Sequence, residues 1–270
     1  MNSDFRDRIS VAVWGVIITL AASALISLPG RGASLALGER TLTLPIAAGS
    51  LLPALLALLA GSGAQAVVQA HPLARQGRLR LPVRFWALPI AVTMIATMVL
   101  PRAPSLLYWG ALLLAVGVLL STVLVALYFS LDPTATGYRR ARAVLNLVCY
   151  TVALVSFLLI PSAWSEGGRA ALLGVIAMLL ALELLRGTQV RVTSVMLYAF
   201  IVGAVVAQVA FGLLLTGLSP LSASLLLLVL FYLLVSLTWQ TLLDRVTRRV
   251  LLEFALVALI ALLIVLLFSP

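Results

Sequence analysis

The stretch LLYWGALLLAVGVLLSTVLVALYFSL, residues 106–131, contains no charged side chain and is long enough to cross a lipid bilayer. A membrane-spanning helix needs about 20 mostly apolar residues. Eight further stretches qualify or come close, although the third and the sixth span are short, at about 16 residues each. The nine predicted spans are residues 9–28, 44–69, 85–100, 106–131, 144–160, 170–185, 192–216, 221–243 and 250–268.

The composition of the whole chain indicates the same class of protein. Of its 270 residues, 63% are hydrophobic and 10% are charged, whereas the usual charged fraction is about 25%. Because so few charges cannot coat a globule of this size, lipid must cover most of the surface. No hydrophilic connection between the spans is long enough to fold by itself. We therefore predict an all-α integral membrane protein, a polytopic helix bundle that forms a single transmembrane domain over residues 1–270.

The arginines predict how the spans are oriented. All 18 basic residues are arginine, and cytoplasmic loops of membrane proteins carry an excess of arginine and lysine. With a cytoplasmic N-terminus, fourteen arginines fall on the cytoplasmic side: Arg6, Arg8, Arg75, Arg78, Arg80, Arg84, Arg139, Arg140, Arg142, Arg186, Arg191, Arg245, Arg248 and Arg249. Only Arg31, Arg40, Arg102 and Arg169 fall outside. This alternation predicts N-in, C-out topology, and the compact loops and arginine usage favour a prokaryotic inner (plasma) membrane.

Two features of the chain keep alternative organisations open. Arg6 and Arg8 precede an apolar run, and Ser34-Leu35-Ala36 resembles a signal-peptide cleavage pattern. A run of this length favours a retained first span. The stretch 130–145 also resembles 242–252, with an acid after an apolar helix and then paired arginines. A parallel four-helix repeat would give this likeness, although positive-inside loops look alike in any case.

The scarcity of reactive side chains argues against an enzyme. The single histidine, His71, stands beside Pro72 in a predicted loop, and the single cysteine, Cys149, excludes an internal disulfide. Haem, zinc and protease sites within a membrane need histidines, cysteines or grouped acids, and no phosphate-binding glycine motif is present. We predict a non-enzymatic protein that binds neither cofactor nor nucleic acid.

Polar side chains recur at helical spacing in three of the spans. The seventh span carries Gln208 near its middle, with Tyr198 close to the same face. The fifth carries Arg142, Asn146, Cys149 and Ser156, and the eighth carries Tyr232, Ser236 and Gln240. Such stripes bond neighbouring helices or line a cavity open to the cytoplasm. The candidate residues of a transport cavity are Gln208, Tyr198, Cys149 and Gln240, together with Asn146.

Two glutamates lie near the cytoplasmic ends of their spans. Glu183 precedes Arg186 by three residues, and Glu253 follows Arg249 by four, so each can pair within its own helix. If the sixth and ninth spans pack together, the acids and arginines form one cluster. Its candidate members are Glu183, Arg186, Arg249, Glu253, Arg142 and Asn146. Since arginines near the cytoplasmic surface attract anionic headgroups, this cluster predicts a site for an anionic membrane lipid or a membrane protein partner.

Small residues and prolines distinguish the second and third spans. The second contains Ala60-Gly61-Ser62-Gly63-Ala64, and Pro45, Pro53 and Pro89 mark possible kinks. This pattern fits close helix packing, or a broken helix at a binding site. The sequence thus favours a membrane component that binds lipid or a protein partner at its cytoplasmic face. The alternative is a small permease or lipid transporter with a cavity near Gln208 and Asn146.

Overall fold

The chain forms two compact units, Met1–Pro133 and Thr134–Pro270. The computed structural model describes residues 3–25, 33–37, 40–44, 48–76, 85–159, 165–188, 190–216, 218–245, 247, 252 and 255–256. These residues are almost entirely helical or in short connections. The predicted ninth span, 250–268, lies largely outside them.

The first unit contains five α-helices and one hairpin among its described residues. They are α1 (Ser3–Leu25), β1 (Ala33–Leu37), β2 (Arg40–Leu44), α2 (Ala48–Gln69), α3 (Pro72–Arg75), α4 (Ala87–Val99) with a 3-10 turn at Leu100–Arg102, and α5 (Leu106–Phe129). The strands pair antiparallel, from Ala33 opposite Leu44 to Leu37 opposite Arg40. The described residues are helical otherwise, as predicted, and this short hairpin is the exception among them. Its alternating Thr41-Leu42-Thr43-Leu44 suits an extended strand.

The second unit contains four long helices in its described part. They are α6 (Tyr138–Leu158), α7 (Glu166–Leu185) with a 3-10 turn at Arg186–Thr188, α8 (Val192–Leu215) and α9 (Pro220–Leu242). Helix α6 begins six residues before the predicted span. Arginine is a good helix former, and Arg139 and Arg140 are exposed on the first turn, so a charged segment extends the helix beyond its apolar part.

Several helices are suited to a membrane by length and composition. Five qualify as spans: Leu106–Phe129, Tyr138–Leu158, Glu166–Thr188, Val192–Leu215 and Pro220–Leu242. Two shorter apolar helices, Pro53–Gln69 and Ala87–Arg102, coincide with the predicted second and third spans. Many apolar side chains on these helices are exposed, including Leu106, Leu107 and Phe200. The fold is therefore that of a helical membrane protein.

Within each unit the four long helices pack in the same order. In the first unit, α1 packs against α2 and α5, and α4 packs against the same two helices. In the second, α6 packs against α7 and α9, and α8 packs against the same two. The second and fourth helices of each set also touch, α2 with α5 and α7 with α9. A four-helix repeat would produce this shared order.

Glycines bring several helix backbones into direct contact. On α7 and α8, a Cβ added at Gly203 would lie 2.6 Å from the carbonyl oxygen of Gly174, and one added at Gly174 would lie 2.7 Å from that of Gly203. In the first unit, a Cβ at Gly63 would lie 2.7 Å from the Cβ of Ala12. Helix α2 continues from Ala48 to Gln69 with Pro53 inside it. Its small residues thus serve close packing in an unbroken helix.

Adding one methyl group at Gly203 should destabilise the second unit. Gly203→Ala places a carbon against the backbone of α7, and overpacking of this kind costs about 1–3 kcal/mol. Gly212→Ala is the matched control, because the same carbon on the same helix meets nothing within 4 Å. Thermal unfolding of the detergent-solubilised variants measures the difference. Equal unfolding temperatures for the two variants would contradict the packing seen at Gly203.

Candidate binding site at one end of the second unit

Glu183 lies near the end of α7 and binds two arginines. Its side chain is fully buried, at 0% exposure. Its Oε1 atom lies 2.6 Å from Nη2 of Arg186, three residues on, and 3.2 Å from Nη1 of Arg142 on α6. The carboxylate therefore joins two helices. Breaking such a buried pair is costly, because it leaves a charge uncompensated in a medium of low dielectric constant.

Arg142 also binds the C-terminal end of the α7 backbone. Its Nη2 atom donates to the carbonyl oxygen of Leu184 at 2.9 Å, and both Nη atoms reach that of Glu183 at 3.4 Å. The last carbonyls of a helix have no partner within the helix and carry the negative end of its dipole. The Arg142 guanidinium thus donates to the carbonyl oxygens at the end of α7 and, together with Arg186, balances the negative charge of Glu183.

The first unit contains a comparable contact. Arg8, in the second turn of α1, donates from Nη1 to the carbonyl oxygen of Ala66 at 3.2 Å. Ala66 belongs to the last turn of α2, as Leu184 belongs to the last turn of α7. In each unit, an arginine near the start of the first long helix therefore binds a carbonyl near the end of the second.

A polar pocket of about 310 Å³ lies beside this cluster, between α6 and α9. It is lined by Asn146, Tyr150, Leu184, Tyr232, Val235, Ser236, Trp239 and Gln240. The polar stripe of α9 and part of that of α6 therefore face each other, a point that the sequence left open. Arg142 adjoins the pocket, because a Cβ added at Gly187 would lie 2.6 Å from its Nη2 atom and 2.7 Å from Cη2 of Trp239.

The remaining predicted site residues are placed as follows. Cys149 is fully buried, and Ser156 is buried with its hydroxyl donating to the carbonyl oxygen of Val152.

Gln208 is exposed on α8 and Tyr198 is partly exposed, and neither is among the residues that line the pocket beside Asn146. The predicted grouping of Gln208 with Asn146 in one cavity therefore stays a prediction. Arg249 and Glu253 lie outside the described residues.

Two aromatic residues of the pocket were not among the sequence candidates. Tyr150 lies four residues after Asn146, and Trp239 lies three after Ser236, so helical spacing placed both near the polar stripes. The rings of Tyr150 and Tyr232 stand 5.8 Å apart.

His71 belongs to the first unit. Its Nδ1 atom accepts a hydrogen bond from the N–H of Leu73 and so caps α3, and its ring meets that of Tyr128 at 4.7 Å. Partial burial lowers the pKa of His71 below its ordinary 6.5, and the negative charge of Asp132 partly offsets this. The neutral ring that the cap requires is thereby favoured at pH 7. Among the described residues, no three His, Cys, Asp or Glu side chains are grouped to hold a metal ion.

Comparison with known proteins identifies a family. The family model described as "Protein of unknown function (DUF5656)" matches residues 29–268. The chain belongs to this family. No curated protein and no solved structure matches it. The matched region includes α6, α7 and α9, so the ion cluster and the pocket both lie within the part of the chain that defines DUF5656.

Removing either partner of the Arg142–Glu183 pair should destabilise the protein strongly. Arg142→Gln strips the carboxylate and the α7 carbonyls of a donor, and Glu183→Gln leaves buried guanidiniums without their carboxylate. Each loss is expected to cost about 3–5 kcal/mol. The measurement is thermal or denaturant unfolding in detergent, with Arg140→Gln as control on the exposed face of the same helix, expected within about 0.5 kcal/mol of the parent.

The double variant tests whether the two side chains act together. If they do, the double variant Arg142→Gln/Glu183→Gln loses less stability than the sum of the losses of the two single variants, because each single substitution already removes the same contact. Strictly additive losses would show that the ion pair is not the source of either effect.

Proposed function

We propose that the chain crosses a prokaryotic inner membrane nine times, with a cytoplasmic N-terminus and an external C-terminus. The alternation of fourteen arginines against four over the predicted loops supports this orientation. The start of α6 and the ends of α7 and α9 then face the cytoplasm. The polar pocket lies at that end, in the cytoplasmic leaflet.

Cysteine labelling tests the orientation. The only natural cysteine is buried, so the background in intact cells is low. Thr136→Cys, in the exposed connection between α5 and α6, should react only after permeabilisation. Gly167→Cys, at the opposite end of α7 where an added Cβ meets nothing within 4 Å, should react with an impermeant maleimide at once. The reverse pattern would overturn the proposed topology.

We propose further that the pocket binds the headgroup of an anionic lipid. The observation that carries this proposal is the convergence of Asn146, Tyr150, Tyr232, Ser236 and Gln240 on one space between two apolar helices. Amides and hydroxyls can donate to phosphate oxygens and accept from headgroup hydroxyls. Polar groups are costly within the hydrocarbon region and mark sites of function there, and a few of them in an otherwise apolar wall are typical of ligand sites.

Arginines supply the positive field that an anionic headgroup needs. Arg139 and Arg140 are exposed on the first turn of α6, and each attracts an anionic surface by about 1 kcal/mol. Arg139 is two turns from Asn146 on the same face, about 10 Å along the helix. Arg142 lies between them, held by Glu183. A phosphate near Arg139 therefore places the rest of the headgroup within reach of the pocket.

The pocket residues support binding rather than catalysis. The eight that line it among the described residues include no carboxylate, histidine or cysteine. The proposed role is a non-enzymatic membrane component whose cytoplasmic-leaflet site selects anionic lipid.

Native mass spectrometry tests the lipid site. The protein is equilibrated with equal amounts of phosphatidylglycerol and phosphatidylethanolamine, and we expect one phosphatidylglycerol to remain bound. Asn146→Leu should reduce that occupancy about tenfold, which corresponds to the loss of one hydrogen bond of about 1.4 kcal/mol. Gln208→Leu is the matched control, because it also replaces an amide by leucine but on the exposed face of α8. Equal occupancy in both variants would contradict the proposal.

The depth of the pocket favours a permease as the second candidate. Gln240 lies near the end of α9, and Tyr232 lies eight residues deeper, about 12 Å along the axis. A small polar solute could enter this far from the cytoplasm. In that case Asn146→Leu abolishes solute flux into proteoliposomes and leaves lipid occupancy unchanged.

A further inference from the structure

A second pocket lies at the opposite end of the second unit, where α6 and α8 end and α7 and α9 begin. Its volume is about 360 Å³. Most of its lining is aliphatic or aromatic, including Phe157, Leu173, Leu214 and Leu227. Among the described residues that line it, the one charged residue is Arg169, on the first turn of α7.

Among the described residues, no acid forms a salt bridge with the guanidinium of Arg169. Its Nε atom is buried and has no hydrogen-bond acceptor. Glu166 precedes it by three residues, which is the spacing of a helical ion pair, yet its side chain is exposed and the described residues contain no salt bridge between the two. A buried donor left unpaired is costly. The arrangement is explained if an acceptor from outside the chain occupies the pocket.

The lining determines which kind of acceptor fits. A free hydrated anion would gain one charged contact and lose its water against an apolar wall, which is unfavourable. An anion attached to a hydrocarbon chain satisfies both parts of the pocket, because the chain covers the apolar side chains and the oxygens bind the guanidinium. Arginine is well suited to carboxylate and phosphate groups, since its planar fork matches their oxygens.

We propose that this pocket binds an anionic amphiphile, with its carboxylate or phosphate on Arg169 and its acyl chain along the apolar wall. The site is separate from the polar pocket between α6 and α9 and shares no lining residue with it. In the proposed topology it lies in the outer leaflet, and Arg169 is one of only four arginines on that side. A fatty acid and a membrane phospholipid offer the same chemistry.

Equilibrium binding of radiolabelled palmitate to the protein in phosphatidylcholine nanodiscs tests the site. The wild-type protein should bind palmitate at one saturable site, and Arg169→Gln should weaken binding by about tenfold or more through loss of a charge-assisted bond. Palmityl alcohol, which has the chain without the charge, should bind both proteins weakly. Arg102→Gln is the matched control, an exposed arginine outside this pocket, and should bind palmitate as the wild type does.

Two further variants keep the test decisive if Arg169→Gln does not fold. Arg169→Lys keeps the charge without the planar fork, and should bind palmitate more tightly than Arg169→Gln but less tightly than the wild type. Ala223→Phe keeps Arg169 but fills the pocket from α9, and should abolish it. Palmitate binding that is absent from the wild type, or unchanged in Arg169→Gln or Ala223→Phe, overturns the proposal.

Competition with dioleoyl phosphatidate then identifies the source of the ligand. Displacement of palmitate by phosphatidate assigns the pocket to a membrane phospholipid. Retention of palmitate in excess phosphatidate assigns it to a free fatty acid, because the second acyl chain is then excluded. Either result supports an anionic amphiphile on Arg169.

Discussion

The carboxylate of Glu183 is the point on which the second unit depends. It is completely enclosed near the end of α7, where a single uncompensated charge would be prohibitive. Arg186 on its own helix and Arg142 on α6 both bind the same oxygen atom, Oε1. Because Arg142 also takes the last carbonyls of α7, it connects α6 to α7 through charge and backbone together. The position of α6 in turn determines where Asn146 and Tyr150 meet the polar face of α9.

The backbone contact between α7 and α8 complements this ion cluster. Gly174 and Gly203 let the two helices touch main chain to main chain, so α7 is held on one side by α8 and at its end by α6. In a bilayer, where lipid is as apolar as leucine, such close packing and polar contacts are what hold helices together. The first unit uses the same means, with Gly63 against Ala12 and Arg8 against the end of α2. Two units with one helix order and one kind of arginine contact are what a duplicated four-helix element would leave.

The two pockets of the second unit differ in the chemistry that they present. The pocket beside the ion cluster is lined by amides, hydroxyls and aromatic rings, whereas the pocket at the other end is aliphatic with one guanidinium. The first suits a headgroup, and the second suits a chain with a charged end. Between them lie tightly packed side chains such as Ile176, Leu180 and Phe231, all fully buried. The proposed functions therefore concern two separate lipid sites within one DUF5656 protein.

The sequence by itself determined where the helices lie, because the length of an apolar run is a local property and lipid demands about 20 such residues. Eight of the nine predicted spans overlap helices of the described residues, and the Glu183–Arg186 pair follows from spacing within one helix. Apolar length alone indicates neither the hairpin between α1 and α2 nor the charged first turn of α6. Only the tertiary structure decided which polar groups meet. Helical periodicity puts Arg142, Asn146 and Gln208 on particular faces, but it does not specify the neighbour that each face meets. Arg142 meets Glu183, Asn146 faces α9 and Gln208 faces outward because packing sets the rotation of each helix, and packing depends on contacts distant in the chain.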